Sequence, residues 1–192
     1  MLGMNRKRKG FTVAELLIVV AIVAVLVSVA IPVFIKKTEK AREAYDIYTM
    51  RQAASAAVHL YYAGVHDRAS AKAAGMEWWG NEDGEKCNAA GAYNPSTGGF
   101  VPLKGDLPAE YKAYGKGTAI DGGTKFVMGN ENGAYISSES YTDAVVMVSI
   151  YPNANPKRVE VYWKKSRNGN DYVGKDNGKK DNPKYSIRIY IN

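Results

Sequence analysis

Phe11 to Phe34 reads FTVAELLIVVAIVAVLVSVAIPVF, and between Leu16 and Ile35 only Ser28 and Pro32 interrupt the apolar residues. About 20 apolar residues, each rising 1.5 Å, make a helix of roughly 30 Å, the hydrocarbon thickness of a bilayer. The segment is long enough to span a membrane. Val, Ile and Leu are concentrated in it, whereas Tyr, Asn and Gly crowd the remainder, so the two parts of the chain face different solvents.

Working outward, four of the cations behind the net charge of +7, Arg6, Lys7, Arg8 and Lys9, stand in a block just before this run. Cationic flanks stay on the cytoplasmic side, so the block reads as a topology signal. Discounting it leaves a modestly basic body with no aromatic-and-basic motif, and no specific nucleic-acid binding is expected. A secretory signal peptide shares the basic start, but its apolar core is about 7 to 15 residues and ends in a small-residue cleavage site. Here the run is longer and continues into VFIKKTEKAREAYD. A plain single-pass anchor accounts for length and charge but gives no task to Glu15, an acid at the start of a helix otherwise without charge. Ionisable residues in apolar spans usually have a partner or a role.

The string KGFTVAELL closely resembles the processing site of type IV prepilins and pseudopilins of type II secretion: a short basic leader ending in Gly, then Phe, then Glu five places into the mature chain. Gly10, Phe11 and Glu15 match those positions, and Pro32 matches a proline common in the family. The resemblance covers about the first 50 residues. It implies that a prepilin peptidase cuts after Gly10 on the cytoplasmic face and methylates the new amino group of Phe11. It further implies an ion pair between Glu15 and the N-terminus of an adjacent subunit in a helical homo-oligomeric filament. The implied partners are a membrane assembly platform with its ATPase, and membrane lipid before assembly. The chain would sit in the cytoplasmic membrane, leader inside and head outside, and later in an extracellular pilus or a cell-envelope filament.

The physical need for such a pair is plain. A free amino group at the end of an apolar helix is costly to bury without a counter-charge, and Glu15 would be that charge. A subunit docked out of register would leave both charges unpaired. Pro32 removes one helical hydrogen bond and is expected to kink or locally unwind the helix near Ser28, whose hydroxyl is expected to bond a nearby carbonyl.

Residues 36–64 contain no Pro or Gly before Gly64, which is expected to end the helix. Ala44, Ile47, Tyr48, Ala54, Val58 and Tyr61 or Tyr62 recur at helical spacing, with Lys37, Glu39, Arg42, Glu43, Asp46 and Arg51 largely opposite. One helix of about 50 residues follows, apolar all round first and amphipathic after. Residues 65–123 show little periodicity beyond a possible short helix at Asp67 to Ala74, and read as a connection. Strand signals begin at residues 124–192: Lys125 to Met128 and Ala134 to Ser137 around the turn GNENG, Ala144 to Tyr151 and Arg158 to Trp163 around PNANP, and Lys184 to Ile191. Val159, Val161 and Trp163 share one face, as do Tyr185, Ile187, Ile189 and Ile191. The expected architecture is α+β, the long N-terminal helix packed on a four- or five-stranded antiparallel sheet, the pilin fold. Its segments are a leader at 1–10, a transmembrane or filament-core half at 11–35, an amphipathic half at 36–64, the connection, and a sheet with a variable loop at 165–183.

Other residues say less. Cys87 is the one cysteine, which excludes an intramolecular disulfide, and reads as a small buried residue. Of Trp78 and Trp79 one is expected to pack and the other to be partly exposed, a sugar platform being the alternative. His59 and His66 are too isolated for a metal site. In the loop, Asp171, Asp176 and Asp181 are the residues a calcium ion would take, as in major pseudopilins, but Lys175, Lys179 and Lys180 stand among them and the spacing fits no EF-hand. A solvated loop, with no metal and no cofactor, is the expectation. No Ser/His/Asp, Cys/His or metal-ligand constellation appears, so an enzyme is not expected. The function expected is that of a structural subunit of a type IV pilus or similar filament serving adhesion, motility, DNA uptake or secretion. The alternatives are a pseudopilin and a membrane-anchored surface- or glycan-binding module.

Overall fold

The structure, a computed structural model, describes residues 10–113, 125–128, 131–134, 141, 143–165, 173 and 187–192. The chain divides into two compact units, Met1–Thr38 and Glu39–Asn192. A single helix, α1 (Val13–Tyr62), contributes to both.

In the first unit, every described residue from Gly10 to Lys37 is exposed. A helix that is apolar all round needs a membrane or other protein around it, and this one is long and apolar enough to cross a bilayer. Ser28 Oγ donates to the Val25 carbonyl at 2.7 Å, the local bond expected of it. The helix runs through Pro32 without a break, so no local unwinding accompanies the missing N–H.

In the second unit, α1 ends as Gly64 predicts. Gly64 has φ +100°, its N–H donates to the Tyr61 carbonyl at 3.0 Å, and the Val65 N–H donates to Leu60 at 3.1 Å. This pair of bonds satisfies the last helical carbonyls and requires a left-handed residue between them. A short helix, α2 (Arg68–Ala73), follows, opened by Asp67. Then come β1 (Glu77–Trp79), β2 (Asn88–Tyr93), β3 (Phe100–Val101), β4 (Lys125–Met128), β5 (Glu131–Ala134), β6 (Ala144–Tyr151), β7 (Arg158–Lys165) and β8 (Ile187–Tyr190). One six-stranded antiparallel sheet has the order β1-β2-β6-β7-β8, with β3 paired to β2; β4 and β5 form a separate hairpin. The fold is therefore the α+β arrangement expected, with six strands in the main sheet rather than four or five.

The sheet's inner face, including Val148, Val161 and Ile187, packs on Met50, Ala53, Ala54 and Ala57 of the helix, all buried. This inward face differs from the one periodicity suggested. Ala44 and Tyr48 are exposed, whereas Glu39, Glu43 and Asp46, expected on the polar side, are buried. Positions 39, 43, 46, 50, 53, 57 and 61 form one continuous helical stripe, and the tightly packed small residues at its centre carry the acids inward with them.

Three strands lie in the stretch read as a connection. Strand β2, NAAGAY, lacks the β-branched residues that mark strands. At Gly91 a Cβ would stand 3.2 Å from Phe100 Cβ and 3.3 Å from Met76 Cγ, so the packing selects for the missing side chain. The β4–β5 hairpin pairs Met128 with Glu131. Its second strand thus starts three residues earlier than Ala134, taking part of GNENG into the ladder; residues 135–137 lie outside the described residues. Strands β6 and β7 are where expected, β7 running on to Lys165, and β8 pairs Val161 with Ile187 and Val159 with Ile189.

Candidate assembly site at the helix N-terminus

Gly10, Phe11 and Thr12 precede the helix in irregular backbone. Among the described residues nothing stands within 4 Å of where a Gly10 Cβ would be, and Phe11 is 91% exposed. Thr12 then begins the helix, its carbonyl accepting from the Leu16 N–H at 3.2 Å. Its hydroxyl oxygen accepts from the Glu15 N–H at 3.2 Å, while Glu15 Oε2 accepts from the Thr12 N–H at 2.8 Å and the Thr12 hydroxyl at 2.9 Å.

These reciprocal bonds form a capping box, which the Thr-x-x-Glu spacing of Thr12 and Glu15 announces. The reading of Glu15 as an acid awaiting a distant partner missed it. In the isolated chain the carboxylate satisfies amide donors that the first turn leaves open, and it stands at the end of the helix dipole that favours negative charge. Glu15 thus fixes where the helix begins, and so how far Phe11 stands from it. Pro32 lies on the same helix about 25 Å further along its axis, away from this cluster.

Residues 5–31 match the family described as the prokaryotic N-terminal methylation motif. The chain carries a prepilin-type signal. This signal spans Gly10, Phe11, the capping box and most of the apolar half of α1, and it is the mark of type IV pilins and pseudopilins, a family of structural proteins. No curated protein and no solved structure matches the chain.

The other residues singled out are scattered. Cys87 is buried, with its Sγ 3.4 Å from Asn153 Nδ2. Trp78 is 6% exposed and Trp79 58%, one packed and one open as expected. Asp171, Asp176 and Asp181 lie outside the described residues. Among the described residues, no three His, Cys, Asp or Glu side chains are grouped to hold a metal.

Proposed function

We propose that this chain is the structural subunit of a type IV pilus or a closely related filament. It is anchored in the cytoplasmic membrane by α1 with its head outside, cut after Gly10 by a prepilin peptidase, methylated at Phe11, and polymerised through the same helix. It is not an enzyme. The observation that carries the reading is the coincidence of the prepilin-type signal with a helix half that is exposed on all sides. That half satisfies its surroundings first in lipid and then among identical helices in a filament core, driven there by an assembly platform and its ATPase.

In the filament, the ammonium of a neighbouring Phe11 replaces the neutral donors of Thr12 as the main partner of Glu15. Charge-assisted bonds are roughly twice as strong as neutral ones, and each ion left unpaired in an apolar interior costs several kcal/mol. Glu15 is held at a defined depth by its cap, so docking one turn out of register is penalised twice. Pro32, within a continuous helix in the isolated chain, is the point at which that helix would extend on assembly.

Mass spectrometry of the assembled protein tests the processing step. The expected mature chain begins at Phe11 and carries one added methyl group; filaments built from chains that retain residues 1–10 would refute the proposal. Glu15→Gln keeps the shape of the cap but removes the charge. It is expected to insert and be cleaved normally while filament number falls sharply, and wild-type filament numbers in that variant would exclude the ion pair.

A further inference from the structure

Strand alternation sends a second set of side chains to the outer face of the sheet, opposite the face that packs on α1. A cleft of about 400 Å³ opens there across β1, β2, β6 and β7. This lies within the range of about 300 to 1,000 Å³ typical of small-molecule sites. Its floor exists because β2 is built of small residues: the ladder places Ala90 between Glu77 of β1 and Ser149 of β6, so nothing bulky rises from the middle strand. Aromatic side chains stand on both sides of this trough, Trp79 on β1 and Tyr151 and Tyr162 on β6 and β7.

The walls are pre-set. Ser149 Oγ and Tyr162 Oη share a buried hydrogen bond at 2.9 Å, and the Arg158 guanidinium sits 4.4 Å from the centre of the Tyr151 ring. Arg158 is itself held by Glu160 at 2.9 Å. Glu77, Asn88 and Lys164 complete the lining. Burial lowers the pKa of the Lys164 amine from the ordinary lysine value, so that group has already lost part of its hydration.

These properties define the ligand. The rings ask for flat apolar C–H faces, and the half-buried Asn88 offers a neutral donor and a neutral acceptor. One charge of each sign, Glu77 and Lys164, selects neither an anion nor a cation, and Lys104 lies 3.9 Å from Glu77. A phosphate ligand would need an excess of cations, and an added peptide strand would need the sheet edge rather than its face. We propose that this cleft is a carbohydrate site that takes a short neutral saccharide, stacked on Trp79 and hydrogen-bonded by Glu77 and Asn88. The platform is therefore not the Trp78–Trp79 pair, since Trp78 faces the core. Trp79 acts with tyrosines about 70 and 80 residues away in sequence, brought beside it by the antiparallel ladder.

The test uses the full chain in a zwitterionic detergent without a sugar headgroup, titrated with maltotriose, lactose and N,N′-diacetylchitobiose. Binding is followed by saturation-transfer NMR and tryptophan fluorescence. At least one probe is expected to bind, with affinity reduced about tenfold or more in Trp79→Ala and in Tyr151→Ala, the scale of one lost aromatic contact. Asn88→Leu, which keeps the volume of the floor but removes its hydrogen bonds, is expected to weaken binding as well, and unchanged thermal melting shows which variants remain folded. Failure of all three saccharides to bind, equal binding by wild type and folded variants, or occupation of the cleft by an alanine-rich peptide instead would each overturn the proposal. Filament formation is not needed for the measurement, so its result is separate from that of the Glu15 test.

Discussion

The two halves of α1 share one backbone geometry and almost nothing else. From Leu16 to Ile35 every side chain but Ser28 is apolar, whichever way it points, and exposed; from Glu39 to Tyr62 one narrow stripe is buried and the other side chains are exposed or half-buried. Helical hydrogen bonding is therefore indifferent to the choice between lipid and water, which side-chain chemistry makes. The second half belongs to a unit with its own core, in which Met50, Ala53, Ala54 and Ala57 meet the sheet. The first half has no such core among its described residues, and its stability depends on what surrounds it.

Met50 is almost fully buried, and Met50→Ala should cost about 2 to 5 kcal/mol of head stability, seen as a lower urea midpoint of tryptophan fluorescence. Val25→Ala, the matched change in the apolar half, should leave that midpoint where it is. Equal shifts in both variants would mean that the two halves are not energetically separate.

A charge in the apolar half gives the converse. Val25→Lys should cost about 2.5 to 3.5 kcal/mol of membrane insertion and reduce the membrane-bound fraction, with the head's urea midpoint unaltered. Retention of the variant in the membrane at wild-type level would argue against a spanning role for this half.

The smallest effect sharpens a comparison between helix starts. Helix α2 opens with a capping box like that of α1: Asp67 Oδ1 accepts from the Ser70 N–H at 2.8 Å and the Ser70 hydroxyl at 2.7 Å. Those bonds, the backbone one foremost, hold the Asp67 carboxyl below its ordinary pKa. A depressed carboxylate contributes stability above its unfolded-state pKa and loses it as pH falls through the lowered folded value. Amide exchange in Arg68–Ala73 should therefore lose protection on acidification, less so in Asp67→Asn; protection equally insensitive to acid in both proteins would remove the role given to the carboxylate. Because Asp67 is fully exposed, the change should stay local.

The parts of this molecule that could be read directly from residue order are those whose causes are local. The apolar length of residues 16–35, the Gly10, Phe11 and Glu15 spacing, the stop at Gly64, and the β-branched strands at Ala144 to Tyr151 and Arg158 to Trp163 each depend on residues within a few turns or one ladder. The Thr12–Glu15 cap is just as local, and the Thr-x-x-Glu spacing announces it as directly, with the carboxylate's partner three residues away.

Other features depend on groups brought from far along the chain. Strand β2 exists because Met76, Phe100 and β6 close around alanines and a glycine that carry no strand signal of their own. Glu39, Glu43 and Asp46 are buried because the packed stripe, not their polarity, sets the rotation of the helix. The outer cleft combines residues from four strands into walls and a floor that no single segment encodes. Periodicity reports the average preference of each residue, whereas packing resolves competition among faces, and only the assembled sheet and helix determine which face prevails.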